Sequence, residues 1–470
     1  MSAYDLAIIG GGPGGYVAAL RAAQLGLRTV LFEKDRIGGL CLNWGCIPTK
    51  ALLKNADAVN TVRASSRWGI SIADASYDLG VAVDRSRSIV GQLVEGVEGL
   101  LREAEVEMVR GAATFRGLHE IAVAEDPYEA GATIIATGAT TKYLPGIPLG
   151  GPVITSREAL EVREPPKRAV VVGAGPVGVE FAHLWASYGS EVTVIELLDT
   201  LLPLEDRDLG RALRQSFQGR GITCLTKTKV ESVEVEGAEA VVTVSRGEEK
   251  EQISTDLVLV AIGFIPHTEG LGLESVGVST ENGFVTIGDH METNVLGIYA
   301  VGDVTGKLML AHVASQQGTI AAEHIAGRTV PALDYIQLPR ATFCQPHVGS
   351  VGYTEVGAKE AGFSVKTGRF PFTALGKAVT AGNTEGFAKV VADEGTGQVL
   401  GIHLIGHDVN DLLGEASLAM LLEVTTVELG FAVHAHPTLT EAIKESALAV
   451  NGEAIHMSRR RALPSKREHQ

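Results

Sequence analysis

"YDLAIIGGGPGGYVAALRAAQLGLRTVLFE", residues 4–33, decides the fold. Residues 4–10 form a short apolar run that reads as a buried strand. A glycine turn follows and opens an alanine-rich helix, and "RTVLFE" then reads as a second strand ending at Glu33. The order is strand, G-x-G-x-x-G (Gly10, Gly12, Gly15), helix, strand, acid. Such a unit binds a dinucleotide. The glycines let backbone approach a pyrophosphate, the helix N-terminus meets its charge, and an acid about twenty residues on accepts from a ribose hydroxyl.

The unit returns about 160 residues later as "RAVVVGAGPVGVEFAHLWASYGSEVTVIE", residues 168–196, with Gly173, Gly175, Gly178 and Glu196. Two such units in one chain are far more specific than one. Glu196 favours NAD over NADP because a carboxylate repels a 2′-phosphate, and "LLDTLLPLED" after it has no arginine to hold that phosphate. By its motif alone the first unit takes either NAD or FAD. A Gly302-Asp303 pair at the end of a later apolar strand suits the ribityl chain of FAD, but it also suits a helix N-cap.

Around these units the chain reads as several domains. At about 150 residues per domain, 470 residues suggest roughly three. A helical stretch runs from about Ile47 to Leu101, then a β-rich run ends in "ATIIATGATT", and Pro-rich "LPGIPLGGP" (144–152) marks a boundary. Strand–turn–strand patterns follow the second unit. The last ~130 residues alternate strands and helices in an α+β pattern distinct from the two dinucleotide units. The fold class is therefore α/β, with two Rossmann-like dinucleotide-binding domains and an α+β C-terminal domain.

The 40 Lys and Arg against 56 Asp and Glu give a net charge of −16, which argues against wholesale nucleic-acid binding. The one basic cluster, "SRRRALPSKREHQ" from Ser458, reads as a solvated tail or as a docking site for something acidic. Four cysteines in 470 residues make no disulfide framework. The N-terminus lacks a basic leader region, and no apolar run reaches the roughly 18 residues that span a bilayer. The expectation is a cytoplasmic protein without a membrane segment and without a metal.

Two of the four cysteines stand close together in "GGLCLNWGCIPTK", residues 38–50. If this segment is helical, five residues at about 1.5 Å rise part the Cys41 and Cys46 α-carbons by roughly 7.5 Å, beyond the ~7 Å limit for a disulfide. A bond therefore needs a distorted first turn. Asn43 and Gly45 are poor helix formers and Pro48 removes a donor, so the distortion is available. A strained, accessible disulfide suits redox chemistry rather than stapling. The alternative is a pair of free buried thiols.

Four stretches, "GGLCLNWGCIPTK", "GAGPVGVE", "METNVLGIYAVGDV" and "HAHPTLTEA", resemble in order and spacing the signatures of the pyridine nucleotide–disulfide oxidoreductases, over about residues 4–457. The resemblance is strongest to members that oxidise dihydrolipoamide with NAD⁺. It implies an FAD-binding domain over 1–148, an NAD-binding domain over 149–275, a central domain over 276–342 that completes the FAD site, and an interface domain over 343–470. It implies that Gly10, Gly12, Gly15, Glu33, Gly39, Lys50, Thr137, Gly138, Asp303 and Ala311 hold FAD. Gly173, Gly175, Gly178, Glu196 and Gly263 would hold NAD.

The resemblance also assigns chemistry. Cys41 is the interchange thiol that attacks substrate, and Cys46 is the thiol facing the flavin. Lys50, near the flavin, pairs with Glu180. His436 is the base, oriented by Glu441; His434 is not. An imidazole with an ordinary pKa near 6.5 can take a thiol proton at neutral pH. In the family the histidine works across a homodimer, and the partner is a lipoyl-bearing protein of a 2-oxoacid dehydrogenase, glycine cleavage or sulfur-oxidation system.

Relatives with a C-terminal cysteine pair are disfavoured because the last cysteine is Cys344, and those without the first thiol because Cys41 is present. An NADH-dependent disulfide reductase or diaphorase with a different lipoyl or disulfide partner is the alternative. Phe264, His267, Val313, Gln317 and Cys344 depart from the usual family residues. They bear on the flavin potential and the partner rather than on the redox core. Cys224 and Cys344 are expected as buried free thiols.

Overall fold

The computed structural model describes residues 3–144 and 146–457. The basic tail from Ser458 and Pro145 of the boundary stretch lie outside them. One compact unit holds the chain to Asp199 together with Arg220–Tyr335; a second holds Thr200–Gly219 and the residues from Ile336 on.

In the first unit, strand Ala3–Ile9 pairs in parallel with Thr29–Glu33 on one side and Asp126–Ile135 on the other. From Leu6 to Ile9 it is apolar because both its faces are covered. Leu6 and Ile8 enter one core cluster, and Ala7 and Ile9 enter the other. Helix Pro13–Gln24 begins with Pro13 in its first turn and stops before Gly26, whose φ is +83°. Its buried face is small (Gly14, Gly15, Ala18, Ala19, Ala22), which lets helix Ala311–Ile325 pack close. A Cβ on Gly318 of that helix would lie 2.4 Å from the Gly14 carbonyl oxygen.

Strand Ile298–Ala300 joins the same sheet in parallel beside Asp126–Ile135. Its C-terminal end, carrying Gly302 and Asp303, therefore faces the same sheet edge as the Gly10 loop. A second, all-parallel sheet has the order Thr223–Leu225, Glu191–Ile195, Arg168–Val172, Leu257–Val260, Val153–Ile154. A three-stranded antiparallel meander (Lys229–Glu236, Glu239–Arg246, Glu249–Thr255) packs into its core through Val233, Ala240, Val242 and Val244.

The single helical stretch expected over 47–101 is two helices, Cys46–Arg63 and Leu79–Glu103. Gly69, at φ +72°, ends a short 3₁₀ turn between them, and the Asp78 side chain caps the second by accepting from the Val81 N–H.

The second unit is a five-stranded antiparallel sheet in the order 340–342, 347–352, 399–406, 386–393, 365–371. Helix Glu441–Val450 lies against it, so close at Gly368 that a Cβ there would sit 2.1 Å from the Ser446 carbonyl oxygen. Residues 200–219 also pack in this unit. Asp206 and Asp208 meet the buried Lys389 ammonium at 3.0 and 2.9 Å, and Glu355 meets it at 2.9 Å. Among the described residues no helix is long and apolar enough to cross a membrane.

Candidate active site

The two glycine loops are built alike. A Cβ on Gly10 (φ +110°) would lie 2.3 Å from the Ala136 oxygen, and one on Gly15 would lie 1.8 Å from the Gly10 oxygen. These two glycines let the loop and helix close on the strands. At Gly12 only the Gly39 Cα comes near, at 3.9 Å. In the second loop, Gly173 and Gly178 meet backbone oxygens at 2.4 and 2.0 Å, while nothing lies within 4 Å of a Cβ at Gly175. The middle glycine of each loop thus faces open space, as a passing pyrophosphate requires.

The acids are held alike too. Glu33 accepts from the Gly11 and Asp35 N–H groups at 2.7 Å each, and Glu196 from Ala174 and Leu198 at 2.8 Å each. Around the first loop stand Gly39 (φ +55°), which touches Gly12, then Gly138 (φ +71°) and Ala311, the first residue of its helix. Thr137 donates to the His267 carbonyl at 2.6 Å. Burial pushes the Asp303 carboxyl up to about 6. These residues fit the ADP and ribityl parts of FAD. Gly263 (φ +108°) leaves open space beside the second loop, which fits NAD.

The expected distortion between the cysteines is a break at Gly45 (φ −144°, ψ −106°), where helix Gly39–Trp44 ends and helix Cys46–Arg63 begins. Buried Asn43 holds the first helix, donating to the Ile37 and Gly39 carbonyls at 2.9 and 3.0 Å. Arg87 secures its end, donating to the Asn43 carbonyl at 2.9 Å. Nothing in the local sequence around Cys41 marks the part played by Arg87.

Both cysteines stand here as free thiols that hydrogen-bond each other. That bond, and then the Lys50 charge, bring Cys46 down to about 7 against the opposing effect of burial. Cys41 is pushed up by the same bond and by burial. The pair therefore loses its first proton from Cys46 and keeps the second on Cys41. Lys50, one turn after Cys46, reaches both Glu180 oxygens at 2.9 and 2.8 Å. Burial works against its charge, but Glu180 and Cys46 hold the ammonium above its ordinary value.

The second unit carries His436. Its Nδ1 lies 2.9 Å from Glu441 Oε1, and the Thr438 N–H donates to Oε2 at 2.9 Å. The Nδ1 partner fixes the ring and leaves Nε2 for chemistry. The His436 side chain is 74 % exposed in its own chain, whereas that of His434, bonded through Nε2 to Glu415 at 2.7 Å, is 8 % exposed. His434 is thus a satisfied structural imidazole. Cys224 and Cys344 are buried, Val313 is core, and buried Gln317 joins the Gly302 N–H to the Tyr335 hydroxyl.

Residues 4–318 match the family described as pyridine nucleotide-disulphide oxidoreductase, and residues 338–447 match its dimerisation domain. The chain belongs to the pyridine nucleotide-disulphide oxidoreductases. Among curated members of this family, dihydrolipoyl dehydrogenase of Mycobacterium leprae is 45 % identical over 97 % of this chain and 100 % of its own length. That of Bacillus subtilis is 40 % identical over 96 % and 99 %. The crystal structure of LpdA from Mycobacterium tuberculosis superposes with a TM-score of 0.87 at 28 % identity, covering 95 % of this chain and 99 % of that one. The HOCl-induced flavoprotein disulfide reductase RclA from Escherichia coli gives 0.85 at 27 %, covering 94 % and 99 %.

Proposed function

We propose that this chain is a flavin-dependent dihydrolipoyl dehydrogenase that works as a homodimer with the sequence-derived domains 1–148, 149–275, 276–342 and 343–470. The observation that carries this reading is the Cys41–Cys46 pair. It is broken out of a helix at Gly45, biased toward a Cys46 thiolate by the Cys41 thiol and Lys50 against the opposing charge of Glu180, and set in the unit that holds both dinucleotide loops.

In the oxidised enzyme Cys41 and Cys46 are joined. His436 of the partner subunit takes the proton of one dihydrolipoyl thiol, and the resulting thiolate attacks Cys41. The Cys41–Cys46 bond breaks and Cys46 leaves as the thiolate that Lys50 stabilises. The second substrate thiol attacks the substrate sulfur of the mixed disulfide as its proton passes to the departing Cys41 sulfur. The lipoyl disulfide closes and Cys41 is released. Two electrons and the substrate's disulfide bond thus balance against the enzyme dithiol. Gly10, Gly12, Gly15, Glu33, Gly39, Lys50, Thr137, Gly138, Asp303 and Ala311 would hold FAD, whose chemistry would be to pass that electron pair on, and Gly173, Gly175, Gly178, Glu196 and Gly263 would hold the NAD⁺ that receives it. Glu441 holds His436 in one tautomer and stabilises its imidazolium.

The physiological partner is a lipoyl-bearing protein of a 2-oxoacid dehydrogenase, glycine cleavage or sulfur-oxidation system. The test is NAD⁺ reduction by free dihydrolipoamide, with His436→Gln beside the wild type. Turnover that the variant loses by 10²-fold or more, the usual contribution of a general base, supports the reading. A flavin-loaded dimer that oxidises NADH but ignores dihydrolipoamide makes the chain a disulfide reductase for another acceptor, the activity named for RclA.

A further inference from the structure

Helix Glu441–Val450 carries a second acid on the face of Glu441. Glu445 follows at i+4, so the two carboxylates stand one turn apart. Each has its own imidazole. His436 Nδ1 is 2.9 Å from Glu441 Oε1, and His456 Nδ1 is 2.8 Å from Glu445 Oε1. The second pair exists because the chain reverses after the helix. Gly452 (φ +71°) turns it back, and the Ile455 and His456 N–H groups both donate to Glu445 Oε2, at 3.0 and 3.4 Å. The Glu445 side chain is 6 % exposed and that of His456 is 69 % exposed. A buried carboxylate with three bonds is a fixed anchor, and it holds the imidazole at the surface beside the first pair.

We propose that Glu445 and His456 are a second carboxylate–imidazole pair that positions charge beside the His436–Glu441 pair and tunes His436 through space. This rests on the reading of His436 as the thiol base. His456 is a positioning residue and takes no part in bond making. Burial opposes ionisation of Glu441, yet the Thr438 N–H, His436 and the neighbouring His456 together hold its carboxyl below the usual range.

The other charged groups around His436 in its own unit are few. Lys377 follows Gly376, whose Cβ position would be 3.6 Å from His436 Cε1. His434 is occupied by Glu415. Lys444 and Glu453 flank Glu445 along the chain. When His456 carries a proton, its charge favours ionised Glu441 and opposes a proton on His436. Its removal therefore raises the proton affinity of His436.

The experiment is the pH profile of kcat/KM for dihydrolipoamide with the full-length, flavin-loaded dimer, comparing wild type, His456→Gln and His456→Lys. Gln keeps a donor toward Glu445 without charge, and Lys keeps the charge at every pH. The acid limb should move up by about half a pH unit in His456→Gln, the size of one unit charge roughly a helical turn away near the surface. In His456→Lys it should lie at or below the wild-type position. Superimposable limbs in all three proteins, equal losses at every pH, or a Lys variant that behaves like the Gln variant would each overturn the proposal. If the wild type does not oxidise dihydrolipoamide at all, the reading of His436 fails first. The spacing Glu441-x-x-x-Glu445 was the only trace of this pair in the sequence.

Discussion

Lys50 Nζ lies 2.9 and 2.8 Å from the two carboxylate oxygens of Glu180, a residue 130 positions away at the start of the second dinucleotide helix. The pair joins the Cys46 helix to the NAD-type unit and keeps a cation next to the thiolate. In Lys50→Met the Cys46 thiolate loses that cation inside a largely buried site. The midpoint for thiolate formation should rise by one pH unit or more, since an opposite charge at close range shifts a buried acid by about 1–3 units. Glu180→Gln removes a carboxylate whose charge opposes the thiolate, so its midpoint should move down, opposite to that of Lys50→Met. Thiolate absorbance against pH in the reduced enzyme checks the order. A Lys50→Met midpoint equal to wild type contradicts the electrostatic role.

The reduced pair should titrate in two separated steps. Cys46, brought to about 7 by the Cys41 thiol and Lys50, ionises first, and Cys41 stays protonated well above the ordinary thiol range. Ultraviolet titration of the dithiol form should therefore show one thiolate through neutral pH, not two. The step should vanish in Cys46→Ser and persist, shifted upward, in Cys41→Ala, which loses the hydrogen bond that lowers it. A single two-thiolate transition would show that the sulfurs do not share a proton.

Lys389 is buried among Asp206, Asp208 and Glu355. Burial opposes ionisation of Asp206, but His403 and Lys389 hold its carboxyl below the usual range, and hydrogen bonds from Lys359 and Lys389 do the same for Glu355. Carboxyls depressed in the folded state contribute stability that is present above their unfolded values and is lost as pH falls through the folded ones. The second unit should therefore lose stability on acidification below the ordinary carboxylate range. Lys389→Met strands a buried carboxylate and should cost about 3–5 kcal/mol at neutral pH. Its deficit should shrink in acid as the carboxylates take up protons. Chemical denaturation at two pH values measures both effects, and a pH-independent deficit would point to lost packing instead.

Much of the first unit was legible because its signals are local. A strand, three glycines, a helix and an acid lie within thirty residues, and the outer two glycines have a steric reason visible in their neighbours, such as the 1.8 Å approach at Gly15. The break at Gly45 was legible from Asn43, Gly45 and Pro48 for the same reason. The association of residues 200–219 with the second unit was not. It is made by Asp206 and Asp208 reaching Lys389 more than 180 residues on, and nothing near Asp206 announces that partner. Arg87 at the end of the Cys41 helix and His456 on Glu445 escaped likewise, as long-range or chain-reversal contacts of ordinary surface residue types.

The central claim is that substrate electrons enter through Cys46. The most direct measurement is dihydrolipoamide-dependent NAD⁺ reduction by Cys46→Ser, purified as a flavin-loaded dimer, with NADH oxidation by an artificial acceptor measured beside it. The account predicts that lipoamide turnover falls by at least 10³-fold, because serine cannot leave as a stabilised thiolate or close a disulfide, while the flavin–nucleotide half-reaction persists. Lipoamide turnover within a few-fold of wild type would contradict it.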